Sequence, residues 1–209
     1  MRGLNHEKEH KRQRLDNSGN IRTFRKLMAS VKREGMDELM DFIEASDFYT
    51  APASTRFHGA KEGGLLEHSL HVYECLMGKK NSTGTIWNEM LKDIPDESIA
   101  VAALLHDLCK TNFYKVEICK RNIDGQWVDM PIYSVDDRMP YGHGEKSVLM
   151  IEEYVKLTPE ERFAIRWHMG PYSGQQDWKI LGTAMKMYPL VLALFEADME
   201  ATYVMEYRI

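Results

Sequence analysis

Residues 100–110 read AVAALLHDLCK, an apolar helix-forming run that ends by setting His106 and Asp107 side by side. After Pro95, with Asp96 as its cap, the longer stretch ESIAVAALLHDLCK predicts a buried helix of an α-helical core. Two groups that lose hydration on burial stand at its end, and such groups need compensation.

On the N-terminal side, residues 21–45 space apolar residues at helical intervals, with Gly35 as the break between two helical pieces. The stretch SDFYTAPASTRFHGAKEGG carries Pro52, Gly59, Gly63 and Gly64 and reads as a long connection into the helix LLEHSLHVYECLMGKK. On the C-terminal side, FYKVEICKRNIDGQWVDMPIYSV alternates apolar and polar residues around Asp124 and Gly125. It predicts a small β-hairpin inserted around residues 113–135. Helices resume with EKSVLMIEEYVKL and with TPEERFAIRWHM, where Thr158 is the cap and Pro159 the first turn. Two more helical pieces follow at about residues 181–188 and 189–207. The expected fold is all-α with one inserted hairpin: residues 1–20 form a disordered or extended tail and residues 21–209 a single domain with N-terminal packing helices.

Composition narrows the function. The 209 residues are 44% hydrophobic and 28% charged, and no segment approaches the ~20 apolar residues of a membrane helix. The N-terminal stretch lacks the apolar core of a secretory signal, so a cytoplasmic location away from membranes is expected. A net charge of -5 argues against a duplex nucleic-acid partner. Cys75, Cys109 and Cys119 form no CxxC pair, which argues against cysteine-held zinc and suits free thiols.

The informative test is where ionisable groups fall relative to the apolar stripe of their own helix. His106 lies on the line Ile99, Ala102, His106, Cys109, and Asp107 on the neighbouring line Ala100, Ala103, Leu104, Asp107. His68 interrupts Leu65, Val72 and Cys75, and Asp198 interrupts Val191, Leu194, Ala201 and Met205. An isolated buried carboxylate costs on the order of several kcal/mol unless it is paired, protonated or bound to a metal. Imidazole and carboxylate together suit a divalent cation, which makes His106 and Asp107 candidate ligands. His143, between glycines in YGHGEKS, and His168, at the end of TPEERFAIRWHM, complete an order H, HD, H, H, D; taken alone, His143 reads equally as a turn residue and His168 as a helix C-cap partner.

These residues resemble the HD superfamily of metal-dependent phosphohydrolases. GGLLEHSL is similar to the first-ligand helix of bacterial HD proteins, AALLHDLCK to the signature helix with its trailing lysine, and LFEADMEAT to the last helix. The resemblance spans roughly residues 56–205 and implies an HD-domain helical bundle. It also implies a first metal held by His68, His106, Asp107 and Asp198, with Asp107 bridging to a second that His143 and His168 help to hold. Two divalent metal ions are thereby expected, with Mn, Fe, Zn or Ni fitting the ligand types. The implied activity is hydrolysis of a small phosphoester, such as a nucleotide, through a metal-activated hydroxide oriented by Asp107. HD-fold proteins that use the same ligand order to hold two irons and activate oxygen are the alternative enzyme class, and a non-catalytic ligand-binding module is the third. Lys110 stands one turn beyond the pair and can stabilise phosphate charge, its alternative being a solvated helix-end lysine. Arg56, His58 and Lys61 precede the first-ligand helix and are the candidate substrate-binding residues, the alternative being a structural turn. Tyr141, Trp167 and Tyr172 are candidates for stacking on a base, or else core aromatics.

Overall fold

The computed structural model describes residues 17–123, 125–173 and 177–206. Helices α1 (residues 17–28), α2 (Met36–Ala45), α3 (Gly64–Asn81), α4 (Ile86–Leu91) and α5 (Asp96–Leu105) precede a two-stranded sheet. The sheet pairs β1 (Tyr114–Ile123) with β2 (Gln126–Val135), and α6 (His143–Glu152), α7 (Pro159–Trp167), α8 (Trp178–Met187) and α9 (Pro189–Glu200) follow. Short 3-10 turns occupy Leu108–Lys110 and Gly170–Ser173, and a π-helical turn at Ala201–Met205 extends α9. The protein is helical with one inserted antiparallel hairpin, as its sequence predicts.

The core forms around α5, which is buried at every residue from Ser98 to Leu105. A helix apolar all round is stable only when enclosed. α3 and α7 pack against α5, and α9 packs against both of them. Leu65, Leu66, Val72 and Leu76 of α3, Ala164 and Ile165 of α7, and Val191 and Leu194 of α9 join one apolar cluster with Phe24, Leu39 and Ile43. Each fully buried Leu, Ile or Val contributes about 1.5–3 kcal/mol relative to exposure. α6 reaches α7 closely because residue 144 is glycine: a Cβ there would overlap the Arg166 carbonyl.

The hairpin stands apart. Its register runs from Tyr114 opposite Val135 to Ile123 opposite Gln126, and no residue of either strand belongs to the core cluster. Of the expected turn pair, Gly125 adopts φ 83, whereas Asp124 lies outside the described residues.

Several boundaries differ from expectation. Residues 17–20 are already helical in α1, so the expected tail is shorter at its C-terminal end, and residues 1–16 lie outside the described chain. α4 was not predicted; six residues are too few to show a period, although Thr85 caps it by accepting from the Asn88 N–H at 3.2 Å. Pro95, not Asp96, holds the N-cap position of α5, and α5 stops at Leu105. α6 begins at His143 and ends at Glu152, and α9 gives way to the π turn after Glu200. Among the described residues no single helix is long and apolar enough to cross a membrane, and α8 with α9 and its π turn meets that length only as a pair bent by 112°.

Candidate metal centre

The end of α5 explains the placement of the His106–Asp107 pair. The helix closes at Leu105, His106 is its C-cap, and Asp107 leaves helical geometry at φ -106 and ψ 20 before the 3-10 turn. The pair sits just past the core helix, not on it. Terminating a helix frees carbonyls that its next turn would have engaged. The Ala103 carbonyl accepts from His106 Nδ1 at 2.8 Å. α7 ends in the same way: Trp167 is its last residue, His168 is the C-cap, and His168 Nδ1 donates to the Ile165 carbonyl at 2.7 Å. A carbonyl only accepts, so both rings carry their proton on Nδ1 and turn Nε2 inward. His68, buried in α3, has its Nδ1 3.0 Å from Glu206 Oε1, which His71 Nδ1 also approaches at 2.9 Å.

Three imidazoles and two carboxylates therefore converge. His68 Nε2 lies 3.2 Å from Asp198 Oδ1 and 3.9 Å from Asp107 Oδ2. His106 Nε2 lies 3.3 Å from Asp107 Oδ2, and His168 Nε2 lies 3.5 Å from Asp107 Oδ1. All five residues are buried. His106 Nε2, His168 Nε2 and Asp107 Oδ1 have no hydrogen-bond partner among the described residues. His68, His106 and Asp198 form one group spaced to hold a metal ion, and His106, Asp107 and His168 another.

This arrangement fits a cation. With Nδ1 protonated, a neutral imidazole presents a lone pair at Nε2, and here those lone pairs face carboxylate oxygens that also only accept. Acceptor against acceptor in a buried space requires positive charge between them, from protons or from a metal. The charges respond accordingly. Burial opposes ionisation of both Asp107 and Asp198, yet Lys110 and His106 hold the Asp107 pKa well below the usual carboxylate range, and the His68 hydrogen bond does the same for Asp198. Burial also opposes a charged His68, but Asp198 and Glu206 outweigh it and raise its pKa to about 10. Glu206 is pulled down to about 2 against its own burial by His68 and His71.

The chain matches no family model, no curated protein and no solved structure.

Of the six ligands expected, five meet and His143 stands beside them. Its Nδ1 lies 3.4 Å from Cys109 Sγ, burial lowers its pKa, and it is outside both groups just described, although it lines the same cavity. That cavity, of about 1170 Å³, is also lined by Asp107, Asp198, Arg56, His58, Lys61 and Lys110. Lys110 is held: its Nζ is 2.6 Å from Asp107 Oδ2 and its side chain is 12% exposed. It is neither solvated nor free. Lys61 pairs with Glu67 at 2.5 Å, which leaves Arg56 as the more exposed cation of the rim. His58 is brought inward by a tight loop, in which the Ser54 hydroxyl donates to the His58 carbonyl at 2.7 Å and Ala53 N–H to the Gly59 carbonyl at 2.9 Å. Its ring sits 4.8 Å from that of His68, centroid to centroid. Tyr172 lines the cavity; Tyr141 does not, and Trp167 is buried beneath the Arg166 guanidinium. Glu206 is the residue the sequence reading missed. It follows the π turn, where α-helical spacing no longer tells which face a side chain joins.

Proposed function

We propose that the protein is a metal-dependent phosphohydrolase of the HD type, acting on a small phosphoester such as a nucleotide. The observation that carries this reading is the set of inward Nε2 atoms on His68, His106 and His168, each facing the Asp107 or Asp198 carboxylate with Nδ1 already committed elsewhere. The residues to hold metal are His68, His106, Asp107, His168 and Asp198, with His143 at the margin. Divalent cations in such a donor set lower the pKa of water from about 15.7 toward about 7 and neutralise phosphoryl charge.

The chain's own groups supply the rest. The two oxygens of Asp107 face different imidazoles, Oδ1 toward His168 and Oδ2 toward His106, so this one carboxylate joins the two histidines in a single group that would hold metal. Lys110 balances Asp107 and keeps an ammonium on the cavity wall, where it stabilises charge developing on a phosphoryl oxygen. Arg56 on the rim attracts the anionic substrate, and Tyr172 offers a ring to a base.

The deciding experiment is metal analysis of protein purified without added metal, followed by phosphate release from p-nitrophenyl phosphate and a nucleotide panel with the metal found. Hydrolysis that Asp107→Ala abolishes supports the reading. Bound iron with oxygen uptake and no phosphate release replaces it with oxygenase chemistry, and a protein that binds no metal overturns both.

A further inference from the structure

We infer that Glu206 is a positioning residue that fixes the orientation and tautomer of His68, a role which rests on the metal-centre reading above. The three inward imidazoles face the same chemical problem and solve it differently. His106 and His168 are C-caps, and each bonds through Nδ1 to the carbonyl three residues back in its own chain, at Ala103 and Ile165. His68 is the fifth residue of the eighteen-residue α3, where backbone carbonyls are engaged by the following turn. The Leu65 carbonyl, three residues back, also accepts the Ser69 hydroxyl at 2.9 Å. Those carbonyls already hold helix hydrogen bonds, and His68 Nδ1 meets Glu206 instead of them.

An acceptor must come from outside, and Glu206 provides it. The π turn Ala201–Met205 carries Glu206 back onto α3, where Oε1 meets His68 Nδ1 at 3.0 Å. His71, one turn further along α3, holds the same oxygen at 2.9 Å and so anchors the carboxylate. The outer hydrogen bond of a ligating histidine sets which nitrogen is free for the metal and raises that nitrogen's basicity. With Nδ1 committed to Glu206, Nε2 points at Asp198 and Asp107.

The geometry also allows a rival assignment, because His58, His68 and Glu206 are themselves spaced to hold a metal ion and Glu206 Oε2 has no hydrogen-bond partner among the described residues. The experiment separates the two. Mn²⁺ binding to the full chain is titrated calorimetrically for the wild type, Glu206→Ala, Glu206→Gln and Asp198→Ala, with melting of each metal-free protein as the fold control. Positioning predicts that Glu206→Ala weakens binding by about 10- to 100-fold with the number of ions unchanged. Glu206→Gln, whose amide oxygen still accepts from Nδ1, recovers most of that loss. Wild-type affinity in Glu206→Ala, or equal losses in Ala and Gln, overturns the inference, and so does the loss of one whole ion. Should Glu206→Ala melt too low to titrate, the Gln variant alone decides, since near-wild-type binding is required of it. Asp198→Ala reports on the underlying reading: if it binds Mn²⁺ like the wild type, the metal centre itself is wrong, whatever Glu206 does.

Discussion

Asp107 draws four partners together: His106, His168, Lys110 and, at longer range, His68 all face its two oxygens. Asp107→Asn keeps the volume and removes the charge, so bound metal and phosphate release are expected to fall to background together; metal content by atomic absorption with activity unchanged would contradict the assignment. Lys110 separates into its own test. Lys110→Met retains the stem and deletes the ammonium, and kcat is expected to drop by about 10²-fold, the usual effect of removing one charge-stabilising donor. Metal content is measured alongside, because a fall there instead would assign Lys110 to holding Asp107 alone. These residues were legible in sequence for a physical reason. A charged or imidazole side chain on an apolar stripe is conspicuous, and His68, His106, Asp107 and Asp198 were found in that way. Glu206 and the inward turn of His58 were not, since one depends on a π turn and the other on loop hydrogen bonds that no periodicity encodes.

At the scale of elements, the two helices that end in the candidate ligands His106 and His168 are tied together at their other ends. Arg33, in the segment between α1 and α2, bonds Glu161 in the first turn of α7 at 2.6 and 2.7 Å and Glu97 in the first turn of α5 at 3.0 Å. Glu161 is fully buried and completes the capping box with Thr158, bonding the Thr158 N–H at 2.9 Å. One guanidinium thus sets the spacing of α5 and α7 and, through rigid helices, of His106 and His168. Arg33→Ala leaves a buried carboxylate without its partner, which costs about 3–5 kcal/mol. The pH dependence follows from its sign. Burial raises the Glu161 pKa, but Arg33, Ser98 and the Thr158 N–H outweigh it, so the folded value lies below the ordinary 4.5. The ion pair's contribution is full above 4.5 and fades as pH falls below it. The melting-temperature gap between wild type and Arg33→Ala should therefore be widest near neutrality and narrow below about pH 4.5; a gap independent of pH would assign the loss to packing. The cap at Thr158 and the helix over 159–167 were readable from TPEE, whereas Arg33 was not, because nothing local to residue 33 announces partners 64 and 128 residues away.

For the whole molecule, the hairpin and the bundle make separable contributions. Since β1 and β2 add nothing to the core cluster, replacing residues 114–135 by a short Gly/Ser linker is expected to preserve the helical circular dichroism and Mn²⁺ affinity. Loss of cooperative melting in that variant would show the strands to be part of the fold's foundation. The metal is expected to act on the molecule as a whole. A cation at 100 times its dissociation constant adds about 2.7 kcal/mol to the folded state, or roughly 5–11 °C in melting temperature for a domain of this size. Chelator should reverse the shift, and an unchanged melting temperature at saturating metal would count against a buried site.

The bond from His68 to Glu206 joins residues 138 apart in the chain. Asp198 shares that long reach, so the inner face of α3 stays incomplete until α9 and its π turn have been synthesised and docked. A growing chain that has folded only as far as α7 presents His68, His106, Asp107 and His168 without Asp198 or Glu206. Contacts of such sequence separation form late, after local helices are in place. Capture of the proposed metal is expected to wait for α9 and the π turn, because products cut short before them retain the histidines but neither Asp198 nor Glu206.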